Sequence, residues 1–358
     1  MDGLLKHYID LMNFSNNPVN TAKKKSQSFR PKHGGRLADA VQRYGIKKNA
    51  WLDLSTGINP KSWPVPTIPE YVWRCLPDND ELLNVAAEYY ASETLQVTAG
   101  SQQSIELLPQ LLGNNLRIGV IAPTYAEHAY AWQKNGHQVI VLSVDEVEKN
   151  LPSLDGLIIV NPNNPGGYQF TVDDLLHFQD YFIQHNNSGF LLVDEAFMDC
   201  TPEFSIIPYV ERGNLIVLRS IGKFFGLAGI RCGFIFAQSP LLAKLSEAMM
   251  PWSVSHPARW IVTQALADKT WIAENKIYLA KQSQQVNTIL QKLVGESVTG
   301  CSLFQTVYHQ NADKIFQLLA QQAVLVRLLD NQKGLRFGLP RDLNGMNKLT
   351  NAMKVAFN

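Results

Sequence analysis

The sequence has no uninterrupted apolar run approaching the ~18 residues of a membrane span, so a helical integral membrane protein is not expected. It has almost no net charge: 32 Lys and Arg against 31 Asp and Glu leave +1 with neutral histidines. Neither a nucleic acid nor an anionic membrane is advertised as a partner. Cysteine is scarce too. Cys75, Cys200, Cys232 and Cys301 stand far apart with no C-x-x-C pair, so no structural zinc or other metal and no dense disulfide framework is expected. A G-x-G-x-x-G after the first strand is missing, which disfavours a dinucleotide-binding protein. The opening MDGLLKHYIDLMNFSNN carries acids and no long apolar core before a small-residue cleavage site, so the expectation is a soluble, cytoplasmic protein without a secretory signal.

What the chain does have is the material for a large interior. Hydrophobic residues make up 46% and charged residues only 18% of 358 positions, enough for roughly two domains at ~150 residues each. Residues 13–32 are polar and basic without apolar periodicity, and residues 1–32 are read as a flexible arm. From about residue 95, short β-branched runs alternate with helical stretches. The expected strands are 116–122, 137–144, 156–160, 189–193, 214–219 and 232–237. Runs apolar on both faces and separated by helices imply a mostly parallel sheet covered on both sides. After about residue 245 the character changes. A long helical pattern spans 269–293, and mixed segments such as 323–329 and 335–340 suggest a smaller α+β unit.

In an open parallel sheet ligands bind beyond the carboxyl ends of the strands. Three of those ends are chemically loaded. GLIIV runs into Asn161-Pro162-Asn163-Asn164-Pro165-Gly166-Gly167, GFLLV into Asp194-Glu195-Ala196-Phe197, and NLIVLR into Ser220-Ile221-Gly222-Lys223. A fourth loop, Thr98-Ala99-Gly100-Ser101-Gln102, opens a helix and presents free backbone N–H groups suited to a phosphate. Each piece alone has an ordinary reading: S-x-x-K recurs by chance, N-P-N-N-P-G-G is turn chemistry, an aspartate caps helices, and Tyr125 fits core packing. Their order, each at a strand end, is what makes coincidence improbable.

Together these pieces resemble the fold-type I pyridoxal-phosphate enzymes, the aspartate aminotransferase superfamily, from about residue 33 to residue 340. The resemblance implies an α/β fold with a mostly parallel seven-stranded sheet plus a smaller α+β domain, and pyridoxal 5'-phosphate as cofactor. It implies that Lys223, in Ser220-x-x-Lys223-x7-Arg231, forms the Schiff base with the cofactor aldehyde, while Ser220 and Arg231 hold the phosphate. Asp194 would pair with the pyridinium nitrogen, Asn164 with the phenolic oxygen, and Tyr125 would stack on the ring. Ser101 and Gln102 would meet the phosphate at the helix start. Lys223, Asp194 and Tyr125 are the implied catalytic set. The implied division is 33–75 as a segment associated with the small domain or a dimer partner, 76–245 as the cofactor domain and 246–358 as the small domain.

The N-terminal pieces narrow the resemblance. His33-Gly34-Gly35 followed by Asp53-Leu54-Ser55-Thr56-Gly57-Ile58-Asn59-Pro60 is similar to the start of the threonine-phosphate decarboxylases of cobalamin biosynthesis, relatives of the histidinol-phosphate aminotransferases. That similarity implies decarboxylation of L-threonine O-3-phosphate to (R)-1-amino-2-propanol O-2-phosphate. It also implies substrate contacts from His33, Gly34 and Asn59, a phosphate-binding Arg327 and a carboxylate-binding Arg336. The alternatives are an aminotransferase acting on histidinol phosphate or a related phosphorylated amino acid, and a cofactor-binding protein without catalysis. Three positions depart from the pattern. Phe197 stands where many aminotransferases have tyrosine, Gly57 where other decarboxylases have asparagine, and Leu76 replaces the tyrosine that histidinol-phosphate aminotransferases send to a neighbouring subunit. The family further implies a homodimer.

Overall fold

Alternation of side chains along a few short strands divides the interior into two cores. The computed structural model describes residues 31, 33–77, 80–186, 188–294, 298–330 and 333–357. The arm expected over 1–32 therefore lies, except for residue 31, outside the described residues. In chain order the strands are β1 (Leu52–Asp53), β2 (Leu95–Thr98), β3 (Arg117–Ile121), β4 (Gln138–Leu142), β5 (Gly156–Val160), β6 (Phe190–Asp194), β7 (Leu215–Ser220), β8 (Gly233–Phe236), β9 (Val298–Cys301), β10 (Phe304–Tyr308), β11 (Val324–Leu325), β12 (Arg327–Leu328) and β13 (Gly334–Gly338).

Seven of these form one sheet in the order β2-β8-β7-β6-β5-β3-β4. All pairings from β7 through β4 are parallel, and β8 runs antiparallel to both β7 and β2. Leu157, Ile159, Leu191, Val193, Leu215 and Val217 face one core. Ile158, Phe190, Leu192, Ile216, Leu218 and Ile235 face the other. A period of two on a sheet covered on both faces demands apolar residues at every position, which is why the strand runs read as continuous. The outer strand β4 is the exception: its Val141 is 62% exposed.

The smaller elements are antiparallel, in the order β12-β13-β10-β9, with the helix Lys269–Val294 packed against β9 and β10. The segment 323–329, expected as a single stretch, divides between two sheets. Val324–Leu325 pairs in parallel with Leu52–Asp53, and Arg327–Leu328 pairs antiparallel with β13. The turn from one partner to the other at Val326 swings Arg327 toward the large sheet's carboxyl edge. Two contacts tie this unit to the loop 161–167. Thr306 Oγ1 donates to Pro165 O at 2.6 Å. A Cβ built on Gly167, whose φ is +71, would lie 2.3 Å from the Gly300 backbone. Only glycine permits that approach.

Candidate active site

Beyond the carboxyl ends of β3, β5 and β7 lies a cavity of about 590 Å³. Lys223, Asn164, Tyr125, Arg231, Arg327, Arg336, His33 and Gly34 line it, with Gly57 and Phe197. Residues from both ends of the chain meet in this wall, and four of them, Lys223, Arg231, Arg327 and Arg336, are cationic.

Lys223 sits in the short helix Ile221–Phe224 that follows β7 directly. Its Nζ lies 5.6 Å from the centre of the Phe197 ring. Burial, and then the nearby Arg336 charge, lower its pKa from 10.5 to about 8. Such an amine is a usable nucleophile near neutral pH. Loading of the apo-protein with pyridoxal phosphate should therefore accelerate about tenfold per pH unit up to about 8 and level off above it, because only the neutral amine attacks. Absorbance-monitored loading across pH 6–9 checks this. Arg336→Met should move the midpoint upward, since the guanidinium's charge helps to hold it down.

Asp194 ends β6 at 3% exposure. One oxygen accepts from Ala196 N at 3.1 Å, and the other lies 2.9 Å from Nε2 of His128, which is fully buried. No motif in the sequence points to His128, which stands three positions after Tyr125. Tyr125 O–H donates to Gln102 Oε1 at 3.1 Å, and burial followed by the Glu127 charge raises its pKa well above the usual phenol value. Gly100, at φ +72, precedes the helix Ser101–Leu111, and a Cβ there would lie 3.1 Å from Arg231 Nη2. Ser101 and Gln102 thus begin a helix whose N-terminus faces the Arg231 guanidinium, an arrangement suited to a phosphate. Arg231 itself adopts φ +51, a left-handed conformation uncommon for a residue with a side chain. Ser220 ends β7 one turn before Lys223.

Arg336 is 8% exposed on β13. Its Nη2 donates to Ser55 O at 2.9 Å and its Nη1 to Asn164 Oδ1, while Nε has no hydrogen-bond partner. With Oδ1 occupied in this way, Asn164 keeps its amide N–H groups as donors for a cofactor oxygen. Burial, and then Arg327, push the Arg336 pKa down to about 10. Arg327 lines the same cavity and pairs with Asp330 at 3.1 Å.

Asn59 departs from its expected place at the substrate. Its Nδ2 donates to Phe224 O at 2.7 Å and to Asn275 Oδ1 at 3.1 Å, and its Oδ1 accepts from Lys61 N at 2.9 Å. At 3% exposure the side chain braces the lysine-bearing helix instead of facing the cavity, and its backbone N–H donates to Lys223 O at 3.0 Å. A Cβ on Gly57 would lie 3.0 Å from Phe197 Cε1 and 3.1 Å from Phe304 Cδ1. Two of the departures from the family pattern are therefore neighbours in one apolar wall.

The arrangement fits pyridoxal phosphate. A nucleophilic lysine, a buried carboxylate to face a pyridinium nitrogen, an aromatic ring, an amide donor and a helix N-terminus with its arginine are the groups that hold and tune this cofactor. Comparison with known proteins agrees. Residues 76–335 match the family model described as aminotransferase class I and II. The threonine-phosphate decarboxylase of Pseudomonas aeruginosa is 43% identical over 311 residues, covering 87% of this chain and 93% of that one. The threonine-phosphate decarboxylase of a Sinorhizobium species is 37% identical over 332 residues, covering 90% and 97%. In fold, the chain is similar to the histidinol-phosphate aminotransferase of Sinorhizobium meliloti, solved in complex with pyridoxal-5'-phosphate, with a TM-score of 0.79 at 15% identity over 94% of this chain and 98% of that one. With the family model matched across the whole large sheet and relatives this similar along nearly their full length, the chain belongs to the aminotransferase class I and II family, in the group of the threonine-phosphate decarboxylases.

Proposed function

We propose that this protein decarboxylates L-threonine O-3-phosphate to (R)-1-amino-2-propanol O-2-phosphate and CO2 in cobalamin biosynthesis. The observation that carries the reading is Arg336, a buried guanidinium held by two neutral oxygens, with no carboxylate at ion-pair distance among the described residues. A charge so placed is compensated when an anion enters the cavity, and a fork of N–H donors suits a carboxylate. The decarboxylase relatives support the same substrate.

Bound pyridoxal phosphate supplies an electron sink conjugated to the substrate's Cα. The protein's part is orientation. Arg336 takes the substrate carboxylate, and Arg327 with His33 and the Gly34 backbone takes the phosphate. Two anchors at opposite ends of a small molecule fix its rotation, and that rotation selects which Cα bond stands perpendicular to the ring and breaks. With the carboxylate bond selected, CO2 leaves and Cα needs one proton. Lys223 Nζ, buried beside Phe197 with its pKa near 8, holds that proton and delivers it.

Incubating the holoenzyme with L-threonine O-3-phosphate should release CO2 and phosphorylated amine in equal amounts without any keto-acid acceptor. Rapid 2-oxoglutarate-dependent loss of histidinol phosphate, with no CO2 from threonine phosphate, would overturn the assignment. A cytoplasmic homodimer completes the proposal. In its support, the four cysteines are free, and Tyr71, Trp73, Leu76, Met250 and Trp252 are exposed, with Trp73 at 63% and Met250 at 77%, while the Tyr71 ring lies 6.2 Å from that of His256. Apolar side chains gathered on a surface mark an interaction site. Light scattering should give a two-chain mass, and a one-chain mass removes this part.

A further inference from the structure

The fork of Arg336 is held at two points, and a planar group needs a third. Nη1 donates to Asn164 Oδ1 and Nη2 to Ser55 O at 2.9 Å, which leaves the tilt of the guanidinium about the line between them to other contacts. Nε has no hydrogen-bond partner to supply one. The third contact is a phenyl ring: the Arg336 guanidinium carbon lies 5.2 Å from the centre of the Phe304 ring. Strand register explains the meeting. Phe304 begins β10 opposite Gly338, which has no side chain, while Arg336 stands opposite Thr306, so ring and guanidinium are diagonal neighbours on one face of the β10–β13 pair. Arg327 faces Arg336 from the other side, on β12. Repulsion from that cation and attraction to the negative face of the ring draw the guanidinium the same way.

The ring in turn is wedged. Phe304 is fully buried behind the cavity wall, where Phe197 packs edge-on against it at 5.2 Å between centres and 81° between planes. Phe197 is also the ring that lies 5.6 Å from Lys223 Nζ. Gly57 leaves room for both rings, since a Cβ there would lie 3.0 Å from Phe197 and 3.1 Å from Phe304. The guanidinium and the reactive amine are thus set against one aromatic pair. A carboxylate accepted by a guanidinium fork lies close to the plane of the fork, so the tilt of Arg336 becomes the tilt of the carboxylate it holds.

We propose that Phe304 is a positioning residue: through the negative face of its ring it fixes the tilt of Arg336 and thereby selects loss of CO2 over loss of the Cα proton. This rests on the reading above that Arg336 takes the carboxylate of threonine phosphate. Both outcomes start from the same bound substrate. When the Cα–carboxylate bond breaks, its electron pair stays with the Cα side, a proton takes the place of CO2, and the cofactor is unchanged at the end. When the Cα–H bond breaks instead, the proton passes to the cofactor's aldehyde carbon. The substrate gives up two electrons and its amino group there, takes one oxygen in exchange by way of water, and leaves as a phosphorylated keto acid. A guanidinium free to tilt admits this second outcome.

Two variants and two readouts test this. Phe304→Leu removes the ring face, and pentafluorophenylalanine at position 304 keeps the shape of the ring while reversing its charge distribution. The first readout needs neither substrate nor turnover. In holoenzyme carrying nitrogen-labelled arginine, the Arg336 resonance, assigned by its loss in Arg336→Lys, should report slow rotation about the Nε–Cζ bond in the wild type. Both variants should rotate about tenfold faster. The second readout is the product ratio. With L-threonine O-3-phosphate, CO2 release should fall by about 10- to 100-fold while KM stays close to that of the wild type, and keto acid and aminated cofactor should rise relative to CO2 by a similar factor. A residue that merely fills the core would lower stability and leave this ratio alone. Unchanged rotation in Phe304→Leu, or altered rotation with an unchanged ratio, overturns the proposal. So does a fluorinated protein that matches the wild type in both readouts, since shape alone would then suffice. Keto acid without CO2 from the wild type would remove the proposed function and this selection together, and that failure shows in the unmodified protein, before either variant is compared with it.

Discussion

Lys223→Ala should lower kcat by about 10⁴-fold or more while the protein still folds and still binds pyridoxal phosphate non-covalently. Lys223 is the one lysine among the described residues that lines the cavity, and no other amine is placed to replace it. The truncation removes the group that links to the cofactor aldehyde and the group that returns a proton to Cα, so both steps are lost together. Asp194, Arg231 and the Ser101–Leu111 helix N-terminus remain, which is why cofactor retention should survive. Turnover assays together with absorbance and borohydride trapping check the prediction. A variant that keeps a tenth of wild-type turnover, or is still trapped covalently, would show that Lys223 is not the reactive amine.

The second large effect is on stability. Arg219 is 1% exposed, with Nε 3.1 Å from Glu195 Oε2 and Nη1 3.0 Å from Asp199 Oδ1. The Tyr90 ring lies 5.1 Å from its guanidinium carbon. Glu195 also accepts from Ser205 Oγ at 2.7 Å and Ile206 N at 2.8 Å. Removing this buried guanidinium leaves two buried carboxylates without their hydrogen-bonded cation, and breaking a buried pair in this way costs about 3–5 kcal/mol. Arg219→Ala should lose that much in denaturant unfolding at pH 8.

The pH dependence of that loss has a definite sign. Burial raises the pKa of both Glu195 and Asp199, outweighing the pull of Arg219. A carboxyl whose pKa is higher folded than unfolded binds more protons in the native state, so stability falls as pH rises through the folded value and recovers on acidification. Without Arg219 this dependence strengthens, and the deficit at pH 5.5 should be smaller than at pH 8. A loss below about 1 kcal/mol at pH 8, or one that grows on acidification, would contradict the account. Because Glu195 follows Asp194 and Arg219 precedes Ser220, the variant should also bind cofactor less tightly.

This junction shows where sequence reading stops. The strands 156–160 and 189–193 are legible because a sheet buried on both faces tolerates only apolar side chains, and the run of them has a length. β2 is harder: Leu95–Thr98 has four residues and no run to see. Asp194 and Lys223 stand out because each follows an apolar run at a strand end. Glu195 and Arg219 stand beside them in the chain, yet nothing local says that their side chains meet in the interior. Asn59 misled for the opposite reason. Its motif places it near the substrate, but its amide is consumed by Phe224 O and Asn275.

The sequence by itself determined the alternation of strand and helix, the two-faced burial of the central strands, and the order in which reactive residues follow strand ends. These are local properties, set by side-chain period and by which residue types a strand end tolerates. Only the tertiary structure decided that Arg336 reaches Ser55 O across 281 positions, that His33 meets Glu127 across 94, and that His128 lies under Asp194. Hydrogen bonds and desolvation depend on distance in space, and separation along the chain carries no signal of it. The near-zero net charge belongs to the first class, and the cationic cavity hidden within it to the second.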